Sequence, residues 1–99
     1  MARRVVWSKL AFSDKLQILD YWFKRLGSKS YPRKLDIEFR HSIKHLSKHP
    51  LLGKKLANTD VRYIVKDYYL IFYKIYPKEI RILHLWDSRR NPDDLLIEE

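Results

Sequence analysis

Between Arg62 and Trp86 the chain is rich in β-branched and aromatic residues, broken only at Lys66-Asp67 and at Pro77-Lys78-Glu79. Such a run predicts three strands folded back on one another as an antiparallel meander. In the middle strand Tyr69, Ile71, Tyr73 and Ile75 share one face, and Tyr68, Leu70, Phe72 and Lys74 share the other. In the last strand Ile80, Ile82, His84 and Trp86 alternate with Arg81, Leu83, Leu85 and Asp87, following the two-residue period of a strand. Both faces are apolar or aromatic over most of their length. One is expected to lie under helices. The other then exposes more apolar surface than a lone monomer carries, which predicts a partner.

The segments before this run supply the cover. Val5, Val6 and Trp7 form a short β-prone run that ends at Ser8, a good N-cap. Phe12, Leu16, Leu19, Phe23 and Leu26 then recur at helical spacing, with Ile18 and Trp22 widening the stripe. Gly27 is placed to stop that helix. A second helix is expected after Ser30, with Pro32 in its first turn and Leu35, Phe39, Ile43 and Leu46 on its buried stripe. His49-Pro50 closes it. A link of a few residues around Gly27 makes the two helices an antiparallel hairpin. Residues 51–60, with Gly53 and the Asn58-Thr59-Asp60 turn signals, read as a loop. The expected fold is α+β: an N-terminal strand, a helical hairpin packed on a twisted antiparallel β-meander, and the first strand joined to the sheet.

Ninety-nine residues suffice for one domain, residues 1–99, and show no repeat or linker. The sequence has no cysteine, which removes disulfides and thiolate metal sites and fits a reducing compartment. No run approaches the roughly 18 apolar residues of a membrane span, so a cytoplasmic protein without membrane contact is expected. Charge is the stronger signal. Lys and Arg number 21 against 12 Asp and Glu, a net +9. Four of those acids, Asp93, Asp94, Glu98 and Glu99, lie in an acidic tail of residues 93–99, so residues 1–92 carry +13. A body this basic predicts a polyanionic partner, whether nucleic acid, ribosome or acidic protein. The tail is either a solvated end or a weak competitor for the basic face.

Arg62 opens the first meander strand, and Arg89 and Arg90 follow the last. Converging guanidinium groups can bind a phosphate bidentately and stabilise the charge of a phosphoryl-transfer transition state. The competing reading is ordinary surface arginine, or pairing with Asp87 or Asp93. Lys54 and Lys55 precede the sheet, and a lysine pushed down by neighbouring cations can serve as a general base. Tyr73 or another strand tyrosine can stack on a base or donate to phosphate, and Arg81 adds a strand cation for nucleic acid. His41, His45 and His49 recur at i, i+4, but Lys44 and Lys48 crowd that face and argue against a metal. His84 sits among apolar strand residues, a setting for a half-buried structural histidine as much as for an acid or base. With two glycines there is no phosphate-binding loop, and no cofactor is indicated.

Several segments resemble, in order and spacing, the RelE/ParE superfamily of toxins from bacterial type II toxin–antitoxin modules. Val6, Trp7 and Ser8, then Ala11 and the Ile18–Tyr21 segment, resemble its opening strand and helix. Leu46, His49, Pro50 and Gly53 resemble its exit from the second helix. Arg62, the Tyr68–Tyr73 strand and the Trp86–Pro92 segment resemble its sheet and terminal motif. The resemblance covers nearly the whole chain. It implies a cognate antitoxin whose acidic or amphipathic helical segment wraps the toxin and covers its basic groove.

Two mechanisms occur in that superfamily. RelE-like members cleave mRNA in the ribosomal A site, and ParE-like members lack that activity and act on DNA gyrase. On charge, ribosome-dependent mRNA cleavage is the expected activity, with Arg62, Arg89 and Arg90 gripping the phosphate and Lys54 or Lys55 assisting proton transfer. The alternatives are a gyrase inhibitor without nuclease activity and a non-toxic basic RNA- or ribosome-binding module. The chain departs from the RelE-like pattern at Leu70, where many members place an arginine. Nor does a tyrosine or histidine follow Arg90.

Overall fold

The computed structural model describes residues 2–90. Strand β1 (Arg4–Trp7) leads into helix α1 (Lys9–Leu26) and helix α2 (Ser30–Lys48). A 3₁₀ turn (Pro50–Leu52) and a two-residue strand β2 (Lys54–Lys55) follow. Strands β3 (Val61–Lys66), β4 (Tyr69–Ile75) and β5 (Glu79–Asp87) complete one five-stranded sheet in the order β1-β5-β4-β3-β2. The acidic tail of residues 93–99 lies outside the described residues.

Local chemistry sets most of these boundaries. Ser8 caps α1, its hydroxyl accepting from the Ala11 amide at 3.0 Å. Gly27 ends the helix in the left-handed region at φ 66°, where a Cβ would be strained. The β3–β4 hairpin turns through Asp67 at φ 54°, a conformation that a short polar side chain tolerates. Among the described residues no helix is long and apolar enough to cross a membrane.

The architecture matches the expected α+β class, with four differences of detail. β1 joins the sheet parallel to β5, pairing Arg4–Trp7 with Glu79–Ile82, so the sheet is mixed. Residues 51–60 are not all loop, because β2 pairs with β3 at Tyr63 and Arg62. The face alternation of β5 also breaks. The β4–β5 register slips between Phe72 and Tyr73, so that Phe72 faces His84 while Tyr73 faces Ile82. This bulge gives β5 one extra residue. Ile80, Ile82 and Leu85 therefore pack toward the helices, and Leu83 and Trp86 pack on the other face.

The fourth difference concerns the helix that covers the sheet. Ala11 is fully buried, and Ile18, Leu19 and Trp22 pack against the main core, but Phe12, Leu16, Phe23 and Leu26 are 40–52% exposed. α1 carries two adjacent apolar stripes, and only one can face the sheet. Polar contacts choose which. β1 covers only the first half of β5, leaving the Leu83–Asp87 edge to α1. There Ser8 donates to the Leu83 carbonyl at 3.0 Å, and the Asp14 carboxylate accepts the Leu85 amide at 3.0 Å. Those bonds rotate α1 until Ala11 and Ile18 point inward. The second sheet face, expected to be bare, instead buries Val61, Phe72, Leu83 and Trp86 to 4% exposure or less, with Leu56, Tyr63 and Leu70 packed against them. Among the described residues most of the exposed large apolar side chains lie on the helical hairpin, with Leu51, Leu52, Val65 and Tyr68 exposed elsewhere.

Candidate functional site

β5 ends at Asp87, and the chain turns there through Ser88, whose amide donates to the Tyr68 carbonyl at 2.7 Å. This turn places Arg89 back over its own strand. The Asp87 carboxylate accepts from the Arg89 amide at 2.9 Å, from Nε at 3.0 Å and from Nη2 at 2.7 Å. The same guanidinium lies over the Tyr68 ring at 4.9 Å and the Trp22 ring at 5.9 Å. Trp22 is fixed in turn by donating Nε1–H to the Tyr69 hydroxyl at 2.7 Å. Arg90 stacks over Trp86 at 4.5 Å. Two neighbouring guanidinium groups are thereby held against aromatic faces while remaining open to solvent.

They border a cleft of about 370 Å³ between α1 and the end of β5. Ile18, Leu85 and Tyr69 contribute to its lining, together with Asp14, Gln17 and Tyr21 from α1. Hydrogen bonds from the Arg89 guanidinium, more than any other cause, hold the Asp87 carboxyl below the usual carboxylate range. Burial pushes the Tyr69 phenol up. A carboxyl with a depressed folded pKa adds stability that is complete above its unfolded value of about 4 and lost as pH falls through the folded value. Asp87→Asn is therefore expected to lose less stability on acidification than the unaltered chain. Thermal unfolding across that acid range measures it, and identical pH profiles would contradict the pairing.

The other candidates do not join this cleft. Two hairpin turns return the chain to its first direction, so β3 and β5 run the same way, and the start of one is remote from the end of the other. Arg62 pairs with Tyr73 and Tyr73 with Ile82, and the five residues from Ile82 to Asp87 span about 17 Å. The expected convergence of Arg62 with Arg89 and Arg90 does not occur.

Arg62 donates instead to the Gly53 carbonyl at 2.8 Å. Tyr73, buried in the core, accepts the Gly53 amide at 2.9 Å and donates to the Pro50 carbonyl at 2.7 Å. Burial pushes its phenol up. Together the two side chains clamp the loop after α2. A Cβ on Gly53 would fall 2.5 Å from the Tyr73 hydroxyl and 2.8 Å from the Tyr63 carbonyl, so only glycine fits the clamp.

Lys54 and Lys55 form the exposed edge strand β2, with Lys55 3.8 Å from Asp60. Arg81 lies toward the far end of β5, 3.2 Å from Glu79. His84 is buried, with Nδ1 bonded to Asp14, and stacks near Phe72 and Trp86. It does not line the cleft.

Sequence reasoning missed Asp14, Gln17, Tyr21 and Trp22 as neighbours of Arg89. One signal was available: Asp14 falls between Ala11 and Ile18 on the side of α1 that meets the sheet. Among the described residues no group of three or more His, Asp or Glu is placed to hold a metal ion. His45 and His49 lie with ring centroids 4.8 Å apart on the exposed side of α2.

Comparison with known proteins adds two findings. A family model described as "ParE toxin of type II toxin-antitoxin system, parDE" matches residues 5–92. Among solved structures, a chain from the chromosomal ParDE TA system of P. aeruginosa is similar with a TM-score of 0.78 and 18% identity. That similarity covers 89% of this chain and 98% of the other; at such identity it speaks for the fold. The search of curated proteins finds no match.

Proposed function

This chain belongs to the ParE toxin family of type II toxin–antitoxin systems, and from that premise we propose that it arrests growth by binding DNA gyrase, without cutting mRNA. The observation that carries this reading is the composition of the Arg89–Arg90 cleft. Among the described residues its lining includes neither histidine nor lysine, and the two carboxylates they contribute are committed, Asp87 to Arg89 and Asp14 to His84 and the Leu85 amide. Cleavage of RNA by a 2′-hydroxyl needs a group that takes a proton and another that returns it. Two preorganised arginines on aromatic supports suit a binding anchor, since arginine and aromatic side chains dominate interface energetics. Arg62 and Tyr73, the other phosphate candidates, are already engaged in holding Gly53.

The partner that silences the toxin is a cognate antitoxin, and the exposed α1 stripe is its docking face. Phe12, Leu16, Phe23 and Leu26 line one side of the helix over about 21 Å, and Ile37 on α2 adds to the apolar surface at 51% exposure. That length fits four turns of an amphipathic helix, and the +13 carried by residues 1–92 favours an acidic one. Leu16→Asp is expected to weaken antitoxin binding by about 30-fold or more, the scale of a central interface residue. Leu16 is 51% exposed, so folding should hold. Calorimetric titration with the antitoxin measures the loss; an unchanged affinity would move the docking face elsewhere.

Mapping RNA 5′ ends after induced expression without antitoxin tests the mechanism. Growth arrest with translated messages intact is the expected result. New ends within codons, present only on messages being translated, would restore the nuclease reading.

A further inference from the structure

We propose that the Arg89–Arg90 cleft takes an acidic side chain carried between apolar neighbours on a peptide segment of the protein that the toxin inhibits. This rests on the reading that the chain acts by binding a protein, and it adds what that protein must present. The cleft has two unlike parts. Its inner part is apolar: Leu85 and Tyr69 are buried at 2% and 1% exposure, and Ile18 packs beside them from α1. Its rim carries the two arginines, both exposed.

The charges are layered in the same sense. The Asp14 and Asp87 side chains are 13% and 21% exposed, against 46% for Arg89. An approaching group therefore meets guanidinium before carboxylate. Asp87 engages Nε and Nη2 of Arg89, so the N–H groups of Nη1 can serve a second carboxylate. Arg90, held over Trp86 at 4.5 Å, adds a second planar fork of the kind that grips a carboxylate at both oxygens.

Two observations favour a single carboxylate on a peptide over a run of phosphates. Among the described residues of the lining, two carboxylates balance the two arginines, so the cleft has no surplus positive charge to attract a polyanion. Recognition of unstacked bases needs free aromatic faces, and Trp22, Tyr68 and Trp86 already each hold an arginine.

The α1 wall suits a peptide as well. Gln17 both donates and accepts, as a peptide group does, and its surface bond to Ser13, at 3.3 Å, is easily exchanged for one to a ligand. Tyr21 packs edge-on against Trp22 at 5.1 Å, the ring that supports Arg89. Volume limits the length of chain admitted. A cleft of about 370 Å³ is at the small end of ligand pockets, which run about 300–1,000 Å³. It takes a few residues of extended chain and excludes a whole helix.

NMR titration of the isotope-labelled full chain with the capped tripeptide acetyl-Leu-Glu-Leu-amide tests the proposal. Saturable shifts are expected at the Gln17 side-chain amide, the Arg89 Nε–H and the Leu85 backbone amide. Replacing the glutamate of the peptide by glutamine should weaken binding about tenfold or more, because charge-assisted hydrogen bonds are about twice as strong as neutral ones. Replacing both leucines by serine should weaken it by about the same factor. In the chain, Arg90→Gln should cut the preference for glutamate by about threefold or more, and Gln17→Ala should weaken both peptides alike. Both side chains are exposed, so folding should hold. Arg33→Gln, which changes an exposed cation on α2, should alter neither affinity.

No saturable shifts in the cleft, equal affinity for the glutamate and glutamine peptides, or displacement of the peptide by a short RNA or duplex DNA would each overturn the proposal. Supercoiling inhibition by the same variants is scored separately. An Arg90→Gln chain that loses its glutamate preference yet inhibits gyrase undiminished would overturn the cleft as the contact and leave the gyrase reading standing. Peptide binding by an unaltered chain that does not inhibit gyrase would overturn the gyrase reading alone.

Discussion

Arg89→Ala should reduce growth arrest and gyrase binding by 30-fold or more while antitoxin binding and folding survive. The asymmetry follows from where the side chain spends its interactions. Its side chain is 46% exposed and pairs with Asp87 at the surface, and such pairs contribute about 0–1 kcal/mol to folding. At an interface the same group acts differently. Asp87, Tyr68 and Trp22 have already fixed its rotamer, so little side-chain entropy remains to be lost on binding. A central arginine of this kind typically contributes about 2 kcal/mol or more, which is the predicted loss. Arg89→Lys is the sharper variant. It keeps the charge and the backbone amide bond but cannot reproduce the planar, two-point grip of the guanidinium on Asp87, and it should recover only part of the activity. Full activity in Arg89→Lys would mean that charge alone matters there.

Asp14→Ala is expected to cost the fold about 3 kcal/mol, with the loss read as a shift in the urea unfolding midpoint. Asp14 accepts from the buried His84 ring and from the Leu85 amide. Removing the carboxylate leaves a buried imidazole and a strand-edge amide without their acceptor, and each buried donor left unsatisfied costs roughly 1–3 kcal/mol. Domains have about 5–15 kcal/mol in total, so much of the margin goes. Asp14→Asn keeps an oxygen for the Leu85 amide and should lose less. A loss under about 1 kcal/mol for Asp14→Ala would show that the α1–β5 seam is held by packing alone.

The same seam explains which parts of the structure were legible in the sequence. Ser8 and Gly27 act locally, and both helix ends were readable from single residues. The β4 alternation was also readable, because Ile71 and Tyr73 carry the core on one phase. β5 was not, since Ile80, Ile82, Leu83 and Leu85 are apolar on both phases and a period of two cannot locate a bulge among them. On α1 the stripe with the better helical spacing turned out to be the exposed one. Periodicity cannot see that Ser8 and Asp14, two polar residues, set the rotation by bonding the uncovered edge of β5.

The candidate site was legible only at Arg89, Arg90 and their partner Asp87. Arg62 was placed with them although an even number of turns puts it at the far end. Direction of travel through the meander contained that answer, whereas the clamp of Arg62 and Tyr73 on Gly53 is a tertiary contact that no spacing reveals.

The most direct test of the account is the supercoiling of relaxed plasmid by purified gyrase in the presence of this chain. Inhibition that rises with toxin, is relieved by antitoxin and is lost in Arg89→Ala is the predicted result. Undiminished supercoiling at toxin levels that arrest growth would contradict it.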